Sequence, residues 1–261
     1  MLWELFVDEC LQLFQVAPQL TYCDLQRIIN GSANHPIPQR PTVVSSLKRL
    51  SIAIYDIPPF LLFGRIQTPA LEYVDYSSNT LVGLKSLVTR SASPLHSLSL
   101  LGVESQMHDI IDLLRATTWL KELNIDDCPV TDEFIDLLAI TASIPLHEVA
   151  DGFLPHLQKL EIRVLWAEFS WNSFASMLAA PSTSEPETNH RRPLSSVSFH
   201  MPVNDVDPSR FINEEAILRL TEVTERGFDL TIGYGNKIAD LLAESRKFHE
   251  DRRREAEGAQ E

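Results

Sequence analysis

The residues of this 261-residue chain that could do chemistry are three cysteines (Cys10, Cys23 and Cys128), eight histidines and acid pairs such as Asp126-Asp127. Cys128 lies in the stretch LKELNIDDCPVTDEFIDLL, Leu120 to Leu138. It could act as a thiolate nucleophile, as half of a disulfide, or as a small apolar filler. A nucleophile needs a base, and no cysteine has a nearby histidine in a recognisable order. A Gly-x-Ser-x-Gly elbow and a glycine-rich phosphate loop are also missing. No histidine has a second ligand at metal spacing on one helical face, and His147 and His156 bracket a predicted loop rather than sharing a turn. Asp126-Asp127 falls at a predicted strand exit, where two solvated carboxylates are commoner than a catalytic dyad. The expectation is a chain with no catalytic residues, no metal site and no cofactor, which is not an enzyme.

Three cysteines cannot all pair within one chain. The amino terminus MLWELFVDEC has acids where a secretory leader would have basic residues and a long apolar core. An intracellular location, cytoplasmic or nuclear, is expected, and Asn30-Gly31-Ser32 then reads as a turn rather than a glycosylation site. The formal charge of -14 argues against nucleic acid or an anionic membrane as partner, since both need a positive footprint. With 44% apolar residues the chain can bury a core, yet no apolar run reaches the roughly 18 residues of a membrane span.

The elements that must position these side chains follow from one recurring pattern, an apolar residue followed at +3 and +5 by two more. It occurs as Leu20-Cys23-Leu25, Leu47-Leu50-Ile52, Leu71-Val74-Tyr76, Leu95-Leu98-Leu100, Leu120-Leu123-Ile125, Leu157-Leu160-Ile162 and Leu194-Val197-Phe199. The starts are separated by 27, 24, 24, 25, 37 and 37 residues, and the middle intervals fall in the leucine-rich-repeat range of roughly 20 to 29. Weaker copies open the chain at Leu2-Leu5-Val7 and close it at Leu230-Ile232. Between strands the spacing turns helical. Ser105 is the expected cap for a helix burying Ile110, Ile111 and Leu114. Thr131 or Asp132 caps one burying Phe134, Ile135 and Leu138, and Asp8, Leu11 and Phe14 repeat the scheme. The expected fold is α/β: a leucine-rich-repeat solenoid, or horseshoe, with one parallel strand per repeat inside and helices outside. Cys128 then takes the ninth repeat position, the buried bend after the strand, with Asn79 at the equivalent place after Leu71. A thiol there has a raised pKa and is inert.

The segment LKELNIDDCPVTDEFIDLL resembles the cysteine-containing leucine-rich repeats of F-box proteins, with their Cys-x-x-Ile-Thr-Asp bend. With VDECLQLFQVAPQLTYCDL, PLHSLSLLGV, LPHLQKLEIRV and PLSSVSFHM in order, residues 1 to 235 or so look like the repeat region of the F-box-like family of mushroom-forming fungi. The resemblance implies an intracellular protein-binding module, the substrate-recognition region of an F-box-type ubiquitin ligase receptor. Engagement of the Skp-cullin machinery is expected only where an F-box lies upstream, because MLWELFVDEC is expected to begin inside a repeat, with no Leu-Pro-x-Glu-like opening before it. The alternative is a free-standing structural or adaptor leucine-rich-repeat protein unrelated to ubiquitin.

A leucine-rich-repeat domain over 1–235, of about seven to nine repeats, is expected, with a mobile insertion near 181–193. A capping helix and charged tail follow over 236–261, with Ile238, Leu241, Leu242 and Phe248 near one face and Arg252-Arg253-Arg254 in a solvated, frayed end. Because strand side chains alternate, the second and fourth residues after each first leucine point away from the core, onto the concave side. Those positions hold Tyr22 and Asp24, Arg49 and Ser51, Tyr73 and Asp75, Ser97 and Ser99, Glu122 and Asn124, Lys159 and Glu161, and Ser196 and Ser198. Tyr22, Asp24, Arg49, Tyr73, Asp75, Glu122 and Lys159 are the candidate contacts for a protein partner, since tyrosine and arginine most often dominate interface energies. The competing reading is that Arg49 merely neutralises Asp24 and Asp75 on a wet face.

Overall fold

A computed structural model describes residues 5–29, 40–54, 57–143, 152–165, 168–178, 194–202, 211–235 and 239–258. The expected turn at Asn30-Gly31-Ser32, the insertion near 181–193, and His147, Leu2 and Ile238 lie outside the described residues. The chain divides into two compact units, Met1–Pro129 and Val130–Glu261. Each is mixed α/β around a mostly parallel sheet, and among the described residues no helix is long and apolar enough to cross a membrane.

In the first unit the strands β1 (Leu5–Phe6), β2 (Tyr22–Ile29), β4 (Arg49–Ile54), β6 (Tyr73–Ser78), β7 (Ser97–Leu101) and β8 (Glu122–Asp126) lie in that order, all parallel. Their alignment follows the repeat: Tyr22, Arg49, Tyr73, Ser97 and Glu122 are neighbours in one row, and Asp24, Ser51, Asp75, Ser99 and Asn124 in a second. Leu50, Val74, Leu98 and Leu123 alternate with these on the opposite, buried face. The +3, +5 pattern exists because period-two alternation gives each strand one dry side. The leading leucines Leu47, Leu71, Leu95, Leu120 and, in the second unit, Leu157 are fully buried, whereas Leu20 and Leu194 are only half-buried.

The connections depart from one helix per repeat. Helices α1 (Val7–Val16), α3 (Val82–Ser91) and α4 (Met107–Arg115) are full elements. The return from β4 to β6 holds only the four-residue α2 (Phe60–Phe63) and β5 (Ile66–Gln67), which pairs with β3 (Thr42–Val43) from the previous return. The helix ends at Gly64, and Ile66–Gln67 are taken up by the pairing with β3, so this return holds a single helical turn. Among the described residues β3 is the one regular element of the return from β2 to β4. The opening copy of the repeat is out of register, since Leu5 pairs with Ile28 at the far end of β2 rather than with Cys23. Strand β2 is eight residues long and bulges between Leu25 and Ile28, and its extra length offers β1 an edge there.

Capping also departs in detail. Gln106, not Ser105, occupies the cap of α4 in an extended conformation, while Ile110, Ile111 and Leu114 are buried as expected. Asp8 lies inside the first turn of α1, and the Glu9 carboxylate instead accepts from the Phe6 N–H at 2.8 Å. Leu11 and Phe14 form the buried side of α1.

Cys128 is buried at the bend after β8 and its sulfur accepts from the Val103 N–H at 3.4 Å. Val103 holds the same repeat position after β7 and is buried too. Both bends turn through a left-handed residue one position earlier, Gly102 (φ 60°) and Asp127 (φ 51°); glycine adopts that conformation freely and aspartate tolerates it. Asn79 does not share this place, for it is exposed. Strand β6 runs on to Ser78 without a left-handed turn, so the chain bends later, and the Tyr76 hydroxyl closes that bend on the Thr80 carbonyl at 2.5 Å. Burial pushes the Cys128 thiol up to about 11, Cys23 to about 11 and Cys10 to about 12.

In the second unit β9 (Lys159–Arg163), β10 (Ser196–Met201) and β11 (Asp229–Tyr234) are parallel and in repeat register, with Leu160, Val197 and Leu230 in one row and Ile162, Phe199 and Ile232 in the next. The closing copy Leu230-Ile232 is therefore a strand of the same kind. Strand β12 (Ala239–Asp240) ends the sheet antiparallel. Helix α5 (Asp132–Ser143) buries Phe134, Ile135 and Leu138. Of the two expected caps Thr131 immediately precedes the helix, its carbonyl accepting from the Ile135 N–H at 3.3 Å, while Asp132 is the first helical residue and its carboxylate accepts from the Ser170 N–H at 2.7 Å, ahead of α6 (Trp171–Leu178). Phe169, Trp171, Phe174 and Phe199 form an aromatic core with ring centroids 5.3 to 6.0 Å apart. Helix α7 (Glu214–Glu225) is capped by Asn213, whose side chain accepts from the Ala216 N–H at 2.8 Å. Helix α8 (Leu241–Gly258) packs on α7 and β11. Leu241 and Ser245 are its fully buried residues, while Leu242 and Phe248 are half-buried. Its carboxyl end is exposed but helical, and Arg253 is ion-paired with Glu214 of α7.

Candidate protein-binding face

In the first unit the residues opposite the buried side of the sheet are set by alternation alone. Tyr22 and Tyr73 keep 51% and 41% of their surface accessible, two strands apart on either side of Arg49. The Arg49 guanidinium lies 5.9 Å from the centroid of the Tyr22 ring and donates to the Asp75 carboxylate at 3.2 Å. Asp24 accepts from the Tyr22 hydroxyl at 3.4 Å and from Gln26, whose amide also reaches Ser51 at 3.4 Å. Desolvation, and after it the Asp24 carboxylate, hold the Tyr22 phenol above its ordinary pKa. The face thus brings together five of the seven candidates, Tyr22, Asp24, Arg49, Tyr73 and Asp75.

Glu122 is exposed in the same row at β8, separated from Tyr73 by Ser97. Lys159 belongs to the second unit, where it stands 3.8 Å from Glu161. Asn124 donates to Ser99 at 3.1 Å, so the fourth and fifth strands carry a short polar ladder rather than large side chains.

Arg49 and Asp75 are 56% and 44% exposed. A pair this wet contributes about 0–1 kcal/mol to folding, and an exposed cation–π contact about 0.5–1 kcal/mol. Fold stability therefore gives little reason for two half-exposed tyrosines around one arginine. Such rings combine large apolar area with a polar tip.

Three features escape a reading confined to the second and fourth positions. Gln26 lies beyond them and braces Asp24 and Ser51 through the bulge in β2. Leu101, 47% exposed, ends β7 in the next outward position. In the second unit Arg163, His200 and Thr231, beside the fourth-position residues Glu161 and Ser198, border a hollow of about 310 Å³, with His200 Nε2 at 3.0 Å from the Gly235 carbonyl. Continuing the alternation to the sixth residue after Leu157 and Leu194 reaches Arg163 and His200.

No protein-family model matches the chain, and no curated protein matches its sequence.

Proposed function

We propose that the outward sheet face of the first unit is a protein-binding surface and that the chain is a leucine-rich-repeat solenoid acting by binding rather than by catalysis. One observation carries this reading: half-exposed Tyr22 and Tyr73 flank Arg49 on a pleated surface whose opposite side is dry. The 24- and 25-residue register that aligns Arg49, Tyr73, Ser97 and Glu122 supports the repeat assignment. A rigid sheet supports recognition because its side chains are already ordered, which lowers the entropic cost of docking.

The resemblance to the F-box-like repeats of mushroom-forming fungi supports a finer version, in which the face selects substrates for a cullin-based ubiquitin ligase. Affinity purification of the product of the full transcript, followed by mass spectrometry, tests it. Skp and cullin subunits in stoichiometric amounts are the expected result. A partner held through Tyr73 without either subunit would replace the ligase reading with that of a free-standing adaptor.

A further inference from the structure

We propose that the partner of this face is a basic segment with lysine or arginine at every third residue, an inference that rests on the reading of the face as a protein-binding surface. Strands β2 and β6 carry the same outward pair, Tyr22-x-Asp24 and Tyr73-x-Asp75, on either side of Arg49. Each pair offers a cation one π-face and one carboxylate. Arg49 uses the ring of Tyr22 and the carboxylate of Asp75, so the chain itself demonstrates how this surface holds a guanidinium. The ring of Tyr73 and the carboxylate of Asp24 are left to a cation from outside: among the described residues neither has a basic partner. Glu122 likewise has no ion-pair partner among the described residues. At the second and fourth positions of the five strands Arg49 is the one cation, against Asp24, Asp75 and Glu122. A cationic ligand is complementary to that surface, and the charge of -14 on the whole chain draws it in at long range.

The spacing narrows the ligand further. The sites that Arg49 leaves open, at Asp24, the Tyr73 ring and Glu122, sit on β2, β6 and β8, each two strands from the next in the order β2-β4-β6-β7-β8; Tyr73 and Glu122 share one row, and Asp24 lies in the other, two residues further along its strand. Neighbouring strands are about 4.8 Å apart, so these sites recur at roughly 10 Å across the sheet, with Asp24 displaced by about 7 Å along the strands. A chain in polyproline II conformation rises about 3.1 Å per residue with three residues per turn, which puts every third side chain on one side at roughly 9 Å. An extended β-strand repeats on one side at roughly 7 Å and falls out of step with these sites.

The test is a random-peptide display selection on the full chain. Individual binders are then measured by fluorescence anisotropy against the wild type and the Asp24→Asn, Glu122→Gln, Arg49→Ala and Tyr73→Ala variants. The expected binders carry Lys or Arg at every third position and lose about tenfold in affinity with either carboxylate variant, a fold-change worth about 1.4 kcal/mol. Their binding also weakens as salt is raised. Neutral or acidic binders that still need Tyr73 would overturn the basic partner and leave the binding face standing. Basic binders with no three-residue spacing would overturn the spacing. Binders indifferent to both Tyr73→Ala and Arg49→Ala, or none at all, would overturn the face and this inference with it.

Discussion

Alkylation of Cys128 by iodoacetamide at about pH 8 should be slower in the folded protein than in the unfolded chain by a few thousandfold. The thiol is pushed up to about 11 from an ordinary value of 9.0, with burial as the largest cause. That shift lowers the thiolate fraction about a hundredfold. The more basic thiolate is a better nucleophile, with a Brønsted slope of about 0.4–0.5, which returns about eightfold and leaves a chemical factor of about ten. The residue is 4% exposed, so reagent must wait for the bend between β8 and α5 to open. An opening that costs about 5 kcal/mol, the low end of domain stability, slows the reaction a few thousandfold, and because the opened thiol regains its ordinary value the factor of ten does not multiply this route. Timed alkylation, a quench and peptide mass spectrometry follow Cys128 separately from Cys10 and Cys23. Labelling within about tenfold of the unfolded rate would refute the placement of Cys128 in a buried bend.

Further consequences follow from the same packing. All three thiols have folded pKa values raised above the unfolded value, so the stability they lend is complete below about pH 9 and is lost as pH rises toward 11 and beyond; denaturant midpoints measured across that range should fall, and replacing Cys10 by Ala should flatten the fall. Leu123→Ala removes a side chain that is 1% exposed and should cost about 2–5 kcal/mol in urea unfolding, as for other buried leucines. Asn213→Ala deletes the cap on the Ala216 N–H and should cost about 1 kcal/mol, while Asn213→Asp should retain most of the stability.

The sheet is legible in the sequence because the physics that builds it is periodic. Leu50, Val74, Leu98 and Leu123 recur at fixed intervals since each must meet its neighbour across one strand spacing, and a slip of one residue would turn every side chain over. Cys128 is legible for the same reason. The bends and returns are less so, because they depend on backbone conformation at single residues. Nothing local distinguishes Asn79 from Cys128 as a bend residue; the difference is that Asp127 turns left-handed while β6 runs straight through Ser78. Likewise Ser105 and Asp8 are good capping types, but tertiary contacts decide which residue leads the helix; of the two candidates at α5, Thr131 precedes the helix and Asp132 binds Ser170. The outward face is read from alternation alone, and what the sequence hides is the pairing across strands. That Arg49 takes the ring of Tyr22 and the carboxylate of Asp75, leaving Tyr73 and Asp24, depends on the parallel register of three strands. Gln26 is hidden behind a bulge, and Arg163 and His200 sit one alternation beyond the repeat motif.

The central claim, that the outward face around Arg49 is where a partner docks, is tested most directly by measuring partner affinity for four single variants, each confirmed as folded by circular dichroism. Tyr73→Ala should weaken binding by about 2 kcal/mol, roughly thirtyfold, the scale of interface hot spots, whereas Arg49→Ala, which removes a like charge and frees the Tyr22 ring and the Asp75 carboxylate, should strengthen the binding of a basic partner. Ser97→Ala and Ser196→Ala should change it by less than about threefold, since serine contributes little at interfaces. Equal binding by all four would contradict the claim and move the interface away from this face.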